Sequence, residues 1–448
     1  MREPLATDHE DTIAAISTPP GEGGVGMVRL SGARAIEIAS NLFRSSIGRD
    51  PRQGGRIFHG HVVDAEERPI DEVLLHLMRS PRSYTREDVA EINGHGGPGP
   101  LNAILEETLR LGARLAKPGE FTLRAFLNGR IDLVQAEAVI DQIRARTRDG
   151  LLAANAAAGG AISKALYALR DRLANALAHI EAAVDFPEED LPELVTPALF
   201  EDMRAVQNEM QSLLDTADAG RLYREGAALA IAGRPNVGKS SLFNALLRDA
   251  RAIVSAQPGT TRDRLEEYIT LRGVPVRLID MAGLRATQDE IERIGVDMAR
   301  DMLRAANLAI FVIDASAPDT EEDRQLAGEL AALEIPVVVA FNKIDLVPEA
   351  AAPDWAGEFA ATVRMSVLHG QGITELEARL GTLLLGGVNL GAGDAMLNRL
   401  HQKDSLRRAT DALDRLLTDT TLSPEFLALE LRDALHALGE ITGETTPE

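Results

Sequence analysis

The sequence contains no cysteine, a single tryptophan and only 4% aromatic residues. Without thiols, disulfides, thiolate nucleophiles and cysteine-ligated zinc or iron–sulfur centres are excluded together. Positive charge is also scarce: 47 Lys and Arg stand against 69 Asp and Glu, a formal net charge of −22. Non-specific affinity for nucleic acid comes from neutralising phosphates, so a chain this acidic needs a local basic patch or a partner for any such role. No run of about 18 apolar residues occurs, and the opening MREPLATDHEDT lacks a basic stretch followed by an apolar one. A soluble, cytoplasmic protein with no membrane contact is expected.

What is there is ordinary globular composition, 45% apolar and 26% charged over 448 residues. At roughly 150 residues per domain, this length suggests about three domains. Residues 12–120 mix short alternating or apolar runs (Thr12–Ile16, Gly26–Leu30, Val73–Met78) with the turn-rich PPGEGGVG and GHGGPGP, the texture of an α+β domain over 1–120. From Gly119 to about Arg221, Ala/Leu-rich stretches with helical periodicity predict long packed helices over 121–221, interrupted by the acidic turn Asp185–Asp190. Residues 222–385 alternate strand-like runs (ALAIAG, VRLID, LAIFVID, IPVVVAFN) with amphipathic stretches, the pattern of a mostly parallel sheet flanked by helices. Helical periodicity returns from Ala395 to Leu438. A tail of roughly 50 residues makes a thin independent core, so the segment 386–448 is expected to complete the helical domain, with the α/β domain inserted in it.

The motif richest in chemistry is Gly233-Arg234-Pro235-Asn236-Val237-Gly238-Lys239-Ser240, between the strand-like ALAIA and the helix-like SLFNALL that begins at Ser241. This is a phosphate-binding loop in sequence and setting: backbone N–H groups approach phosphates, Lys239 reaches the β/γ oxygens, and the Ser240 hydroxyl ligates Mg²⁺. Downstream, Asp280-Met281-Ala282-Gly283 places a carboxylate at a strand end for the Mg²⁺ water shell and a Gly283 N–H towards the γ-phosphate. Between them Gly259-Thr260-Thr261 offers a second Mg²⁺ contact at Thr261. Asn342-Lys343-Ile344-Asp345 names the base: the Asp345 carboxylate accepts from guanine N1–H and the exocyclic amine, a donor pair adenine lacks. Ser366 and Val367 supply backbone N–H support to the base. Leu284 stands where many small GTPases have a water-orienting glutamine. Glu292 is one candidate for polarising water; read in isolation it is equally a solvated carboxylate at a helix start. Asn236 beside the phosphates is a candidate cation ligand.

With the flanking blocks TIAAISTPPGEGGVGMVRLSG, PGEFTLRAFLNGRIDLVQAEAV, VDFPEED, LYREG, PGTTRD and ELRDALHALGEITGE, the sequence resembles the tRNA modification GTPase MnmE (TrmE) family over nearly its whole length. The resemblance implies a multidomain α/β plus α protein: an N-terminal tetrahydrofolate-binding, dimerising α+β domain and an all-helical bundle split by an inserted P-loop GTPase domain. It implies GTP hydrolysis coupled to G-domain dimerisation. It also implies an FAD-dependent partner, MnmG (GidA), in a heterotetramer that adds a carboxymethylaminomethyl or aminomethyl group at C5 of the tRNA wobble uridine U34, with 5-formyl- or 5,10-methylene-tetrahydrofolate as one-carbon donor. By the same resemblance K⁺ binds at Asn236, Ser255, Gln257 and Thr260, Mg²⁺ at Ser240 and Thr261, and Glu292 is catalytic. The GTP-contacting loop runs from Ser255 through Ala256, Gln257, Pro258, Gly259 and Thr260 to Thr261. The folate positions are Arg29, Glu91 and Arg130, which without the resemblance read as surface salt-bridging residues.

The family pattern has Thr where Met281 stands and a small residue where Val367 stands, and it continues past ITGE to a Cys-Ile-Gly-Lys-like tail. This sequence reads ITGETTPE. That difference motivates a second reading, a GTP-dependent conformational switch or assembly factor without modification chemistry.

Overall fold

The computed structural model describes residues 11–48, 50, 57–185, 196–249, 267–280, 303–386, 391, 393–418 and 423–444. They divide into two units, Met1–Ala136 and Glu137–Glu448.

In the first unit, strands β1 (Ile13–Ile16) and β2 (Gly23–Ser31) precede helix α1 (Ala35–Leu42), and β3 (Phe43–Ser45), β4 (Ile57–Val63), β5 (Pro69–Met78) and β6 (Val89–Gly96) precede helix α2 (Pro98–Arg110) and the short β7 (Arg114–Leu115). They form one sheet in the order β3-β4-β5-β6-β2-β1-β7, with β1 and β7 parallel and the other pairs antiparallel. The alternation of β2 and β5 dictates the layering. Val28, Leu30, Val73 and Leu75 turn to one face, where they are buried with Ile38 and Leu42 of α1 and Leu101 and Ile104 of α2. Each such side chain contributes about 1.5–3 kcal/mol by leaving water. On the opposite face, Arg29 of β2, Glu91 of β6 and His76 of β5 lie directly across from one another.

Helix α3 (Glu120–Leu127) is fastened to this sheet by charge. Arg114 Nη2 donates to Glu120 Oε1 at 2.6 Å, Lys117 N donates to Glu120 Oε2 at 2.7 Å, and the nearly buried Arg124 bonds Asp11, Glu87 and Glu120. The Arg114 guanidinium, despite opposing burial, holds the Glu120 pKa down to about 2 from its ordinary 4.5.

Helix α4 (Leu133–Arg144) spans the division between the units. The second unit continues with α5 (Arg148–Ala158), α6 (Ala161–Asp185) and α7 (Pro197–Glu225). Thr147 and Thr196 cap α5 and α7, each hydroxyl accepting a backbone N–H of the first turn. After Gly226 the texture changes to β8 (Ala227–Ala232), α8 (Lys239–Asp249), β9 (Tyr268–Leu271), β10 (Val274–Asp280), β11 (Leu308–Asp314), α9 (Glu321–Ala331), β12 (Val337–Asn342), β13 (Ala361–Arg364) and α10 (Ile373–Leu384). The sheet order is β13-β12-β11-β8-β10-β9, parallel except for the β9–β10 hairpin. Every residue of β8 and β12 is buried, as expected for strands covered on both faces. Leu242, Leu246 and Leu376 cover one face; Leu303, Ala327 and Leu330 cover the other.

The chain then returns to the helical bundle as α11 (Leu400–Thr418) and α12 (Pro424–Thr442). Arg432 of α12 pairs with Glu181 of α6 at 2.6 Å, and Gln207 of α7 bonds Asp414 of α11 at 3.3 Å. The α/β part is therefore inserted in the helical part, as the sequence predicts. The helical periodicity read from Ala395 to Leu438 is carried by these two helices, with Pro424 at the first helical position of α12 after Ser423. Among the described residues no helix is long and apolar enough to cross a membrane.

Candidate functional site

The loop between β8 and α8 is shaped by its special backbone. Asn236 stands at φ +64 and Gly238 at φ +105. A Cβ at Gly238 would lie 2.4 Å from the Asn342 amide nitrogen, so only glycine allows the second loop to close over the first. Asn342, at the end of β12 and 3% exposed, fastens them together: its Nδ2 donates to Val237 O at 2.9 Å and its Oδ1 accepts from Val367 N at 3.1 Å. Lys343, at φ +67, sends Nζ to Asn236 O (2.9 Å) and Asp314 Oδ2 (2.6 Å). Burial pushes the Asp314 carboxyl up, but hydrogen bonds from Lys343 and Ser316 outweigh it and hold the pKa below the usual carboxylate value.

Beyond this bracket, the fully buried Ser366 donates its hydroxyl to Asp345 Oδ1 at 2.6 Å, leaving Oδ2 with His369 Nε2 at 3.9 Å. Gly238, Ser241, Asn342, Asp345, Ser366 and Val367 line a cleft of about 580 Å³. At its loop end Lys239 Nζ donates to Arg234 O at 2.6 Å and Ser240 is exposed at the start of α8. A fixed carboxylate at one end and an ammonium, a loop of backbone N–H groups and a helix N-terminus at the other suit a purine with a phosphate chain.

Val367 itself packs against the core of the sheet. Asp280 ends β10, beside β8. Ser255, Ala256, Gln257, Pro258, Gly259, Thr260, Thr261, Met281, Ala282, Gly283, Leu284 and Glu292 lie outside the described residues.

In the first unit the three singled-out residues come together. Arg29 bonds Glu91 Oε1 at 2.8 Å, and the Arg29 and Arg130 guanidinium carbons lie 5.5 Å and 4.8 Å from the Tyr84 ring centre. Phe121 stands 5.6 Å from the Arg29 guanidinium, and the Tyr84 hydroxyl bonds Thr122 Oγ1 at 2.9 Å.

A family model described as the MnmE helical domain matches residues 133–448, and one described as the GTP-binding protein TrmE N-terminus matches residues 12–130. The chain is 46% identical to the tRNA modification GTPase MnmE of Geobacillus kaustophilus, covering 98% of this chain and 96% of that one. It is 47% identical to the protein of the same name from Chloroflexus aurantiacus over the same shares. This chain belongs to the MnmE family.

Two parts of this MnmE-family chain escaped sequence reasoning. Asp314 closes LAIFVID just as Asp280 closes VRLID, a repeated strand-end carboxylate that was the available signal. Tyr84 lies in no motif and Phe121, though inside the PGEFTLRAF block, carries no sign of its role; only the fold brings them against Arg29.

Proposed function

We propose that the chain is a K⁺-stimulated GTPase that hydrolyses GTP to GDP and phosphate and takes part in C5 modification of the wobble uridine in tRNA. The observation that carries the nucleotide half is the Asn342–Asp345 bracket. Asn342 ties the phosphate loop to the base loop, and Ser366 turns the Asp345 carboxylate for acceptance from guanine N1–H and its amine. Family membership supports the tRNA half, since relatives 46–47% identical bear the name tRNA modification GTPase.

Lys239 reaches the β/γ oxygens, Ser240 and Thr261 hold Mg²⁺, and Asn236, Ser255, Gln257 and Thr260 hold K⁺. Bound Mg²⁺ and K⁺ supply fixed positive charge against the charge developing on the phosphates. Glu292 orients the attacking water in place of the glutamine that Leu284 displaces. In the first unit, Glu91 as acceptor and Arg29 and Arg130 as donors fit in kind a tetrahydrofolate, which joins an amino-heterocycle to a carboxylate tail. The working assembly in this reading is a cytoplasmic homodimer joined with the flavoprotein MnmG.

Steady-state GTP hydrolysis in matched KCl and NaCl buffers tests this. Strong activation by K⁺ alone is expected. Equal rates in the two salts would remove the cation site and favour the switch reading.

A further inference from the structure

The second residue of the phosphate loop, Arg234, is held at both ends. Its carbonyl accepts from Lys239 Nζ at 2.6 Å, and its guanidinium Nε donates to Asp323 Oδ1 at 2.7 Å, 89 positions along the chain. The first contact touches the ammonium that the loop offers to phosphate. The second ties the same residue to α9.

Asp323 is placed to hold that tie. It stands in the first turn of α9, where the Thr320 hydroxyl accepts from Asp323 N at 3.3 Å and donates to Asp323 Oδ2 at 2.8 Å. One carboxylate oxygen is thereby fixed to the helix cap and the other faces Arg234. The Asp323 side chain is only 4% exposed, so its charge needs a partner, and the helix N-terminus favours keeping it ionised. The Arg234 side chain meets it at 20% exposure. Farther along the same loop, Asn342 Nδ2 holds Val237 O and Lys343 Nζ holds Asn236 O. The loop is thus anchored from the base side by one pair of residues and from α9 by another.

We propose that Arg234, through its ion pair with Asp323, is a positioning residue for the β-phosphate of a guanine nucleotide. The pair fixes the entrance of the loop, so that the Arg234 carbonyl presents Lys239 to the phosphate chain. Arg234 acts through Lys239 and the loop N–H groups, and α9 is an element to which the nucleotide motifs assign no contact. Misplacing a positioned group by about 1 Å can cost on the order of 100-fold, so loosening at this anchor is read at Lys239. The proposal rests on the guanine-nucleotide reading of the cleft.

The test compares GDP and GMP affinities of the full chain, by calorimetry and competition, in Mg²⁺ and KCl. The variants are Arg234→Gln, Asp323→Ala, the two together, and Arg234→Lys, which keeps the charge. GMP lacks the β-phosphate and so reports the base end without the Lys239 grip. A general loss of folded protein weakens both nucleotides alike and leaves their ratio unchanged. Fluorescence of the single tryptophan, Trp355, whose ring lies 5.4 Å from that of Phe311 in β11, checks that the sheet is intact in each variant.

The ratio of GDP to GMP affinity is expected to fall about tenfold in each neutralising single variant, and no further in the double variant, because the two side chains act as one unit. Arg234→Lys should stay close to wild type. An unchanged ratio, or GDP and GMP weakened in step, would overturn the positioning role while leaving the nucleotide reading standing. Losses that multiply in the double variant, or an Arg234→Lys protein as weak as Arg234→Gln, would overturn the ion pair as the cause. A wild-type chain that binds neither nucleotide would overturn the nucleotide reading and this proposal with it.

Discussion

Glu120 shows how one carboxylate organises a corner of the first unit. It is 8% exposed and accepts from Arg114, Arg124 and the Lys117 N–H. Because its pKa falls from 4.5 to about 2 on folding, its stabilisation is complete above the ordinary value and is lost as pH falls from about 4.5 towards 2. Glu120→Gln should therefore loosen α3 at neutral pH, read as faster amide exchange over residues 114–127. The difference from wild type should narrow as the pH drops through that window; a constant difference would refute the ionic account. At the proposed nucleotide site, Lys239, Asn342 and Asp345 could be singled out from sequence because the phosphate-loop and base-loop motifs are local patterns. The Asp314–Lys343 pair could not, since Asp314 ends β11, Lys343 follows β12, and only the parallel pairing of those strands brings them together.

The β9–β10 hairpin joins the sheet to the bundle. Its turn carbonyl at Gly273 accepts from Thr147 Oγ1 at 2.6 Å while the same hydroxyl caps α5, and the Arg146 guanidinium carbon lies 4.1 Å from the Tyr268 ring centre. Gly273 is at φ +82, and a Cβ there would lie 2.0 Å from Asp149 Oδ2. Strain plus displacement of α5 should cost about 2–3 kcal/mol. Gly273→Ala is thus expected to lower the unfolding temperature by roughly 4–10 °C, and an unchanged temperature would show that the turn does not bear on α5. Helix and strand identities followed from periodicity, because burial on one or both faces leaves a repeat in the sequence. The docking of this turn on α5 left no such repeat: Thr147 reads as a plain cap, and its second bond depends on a residue 126 positions away.

Across the whole molecule, the inserted architecture was legible because the texture switches twice, at Ala227 and again before α11. The composition of the first unit's polar cluster was not. Arg29, Glu91 and Arg130 were singled out by family resemblance alone, and Tyr84, on which both arginines converge, carries no sequence signature. The account as a whole stands on a guanine nucleotide turning over in the Asp345 cleft. The most direct test is hydrolysis of GTP and xanthosine triphosphate by wild type and Asp345→Asn under the same KCl conditions. The account predicts that the variant loses turnover of GTP at limiting concentration and gains it with xanthosine triphosphate, whose 2-oxo group accepts from the new amide. An Asp345→Asn protein that keeps the wild-type preference for GTP would contradict it.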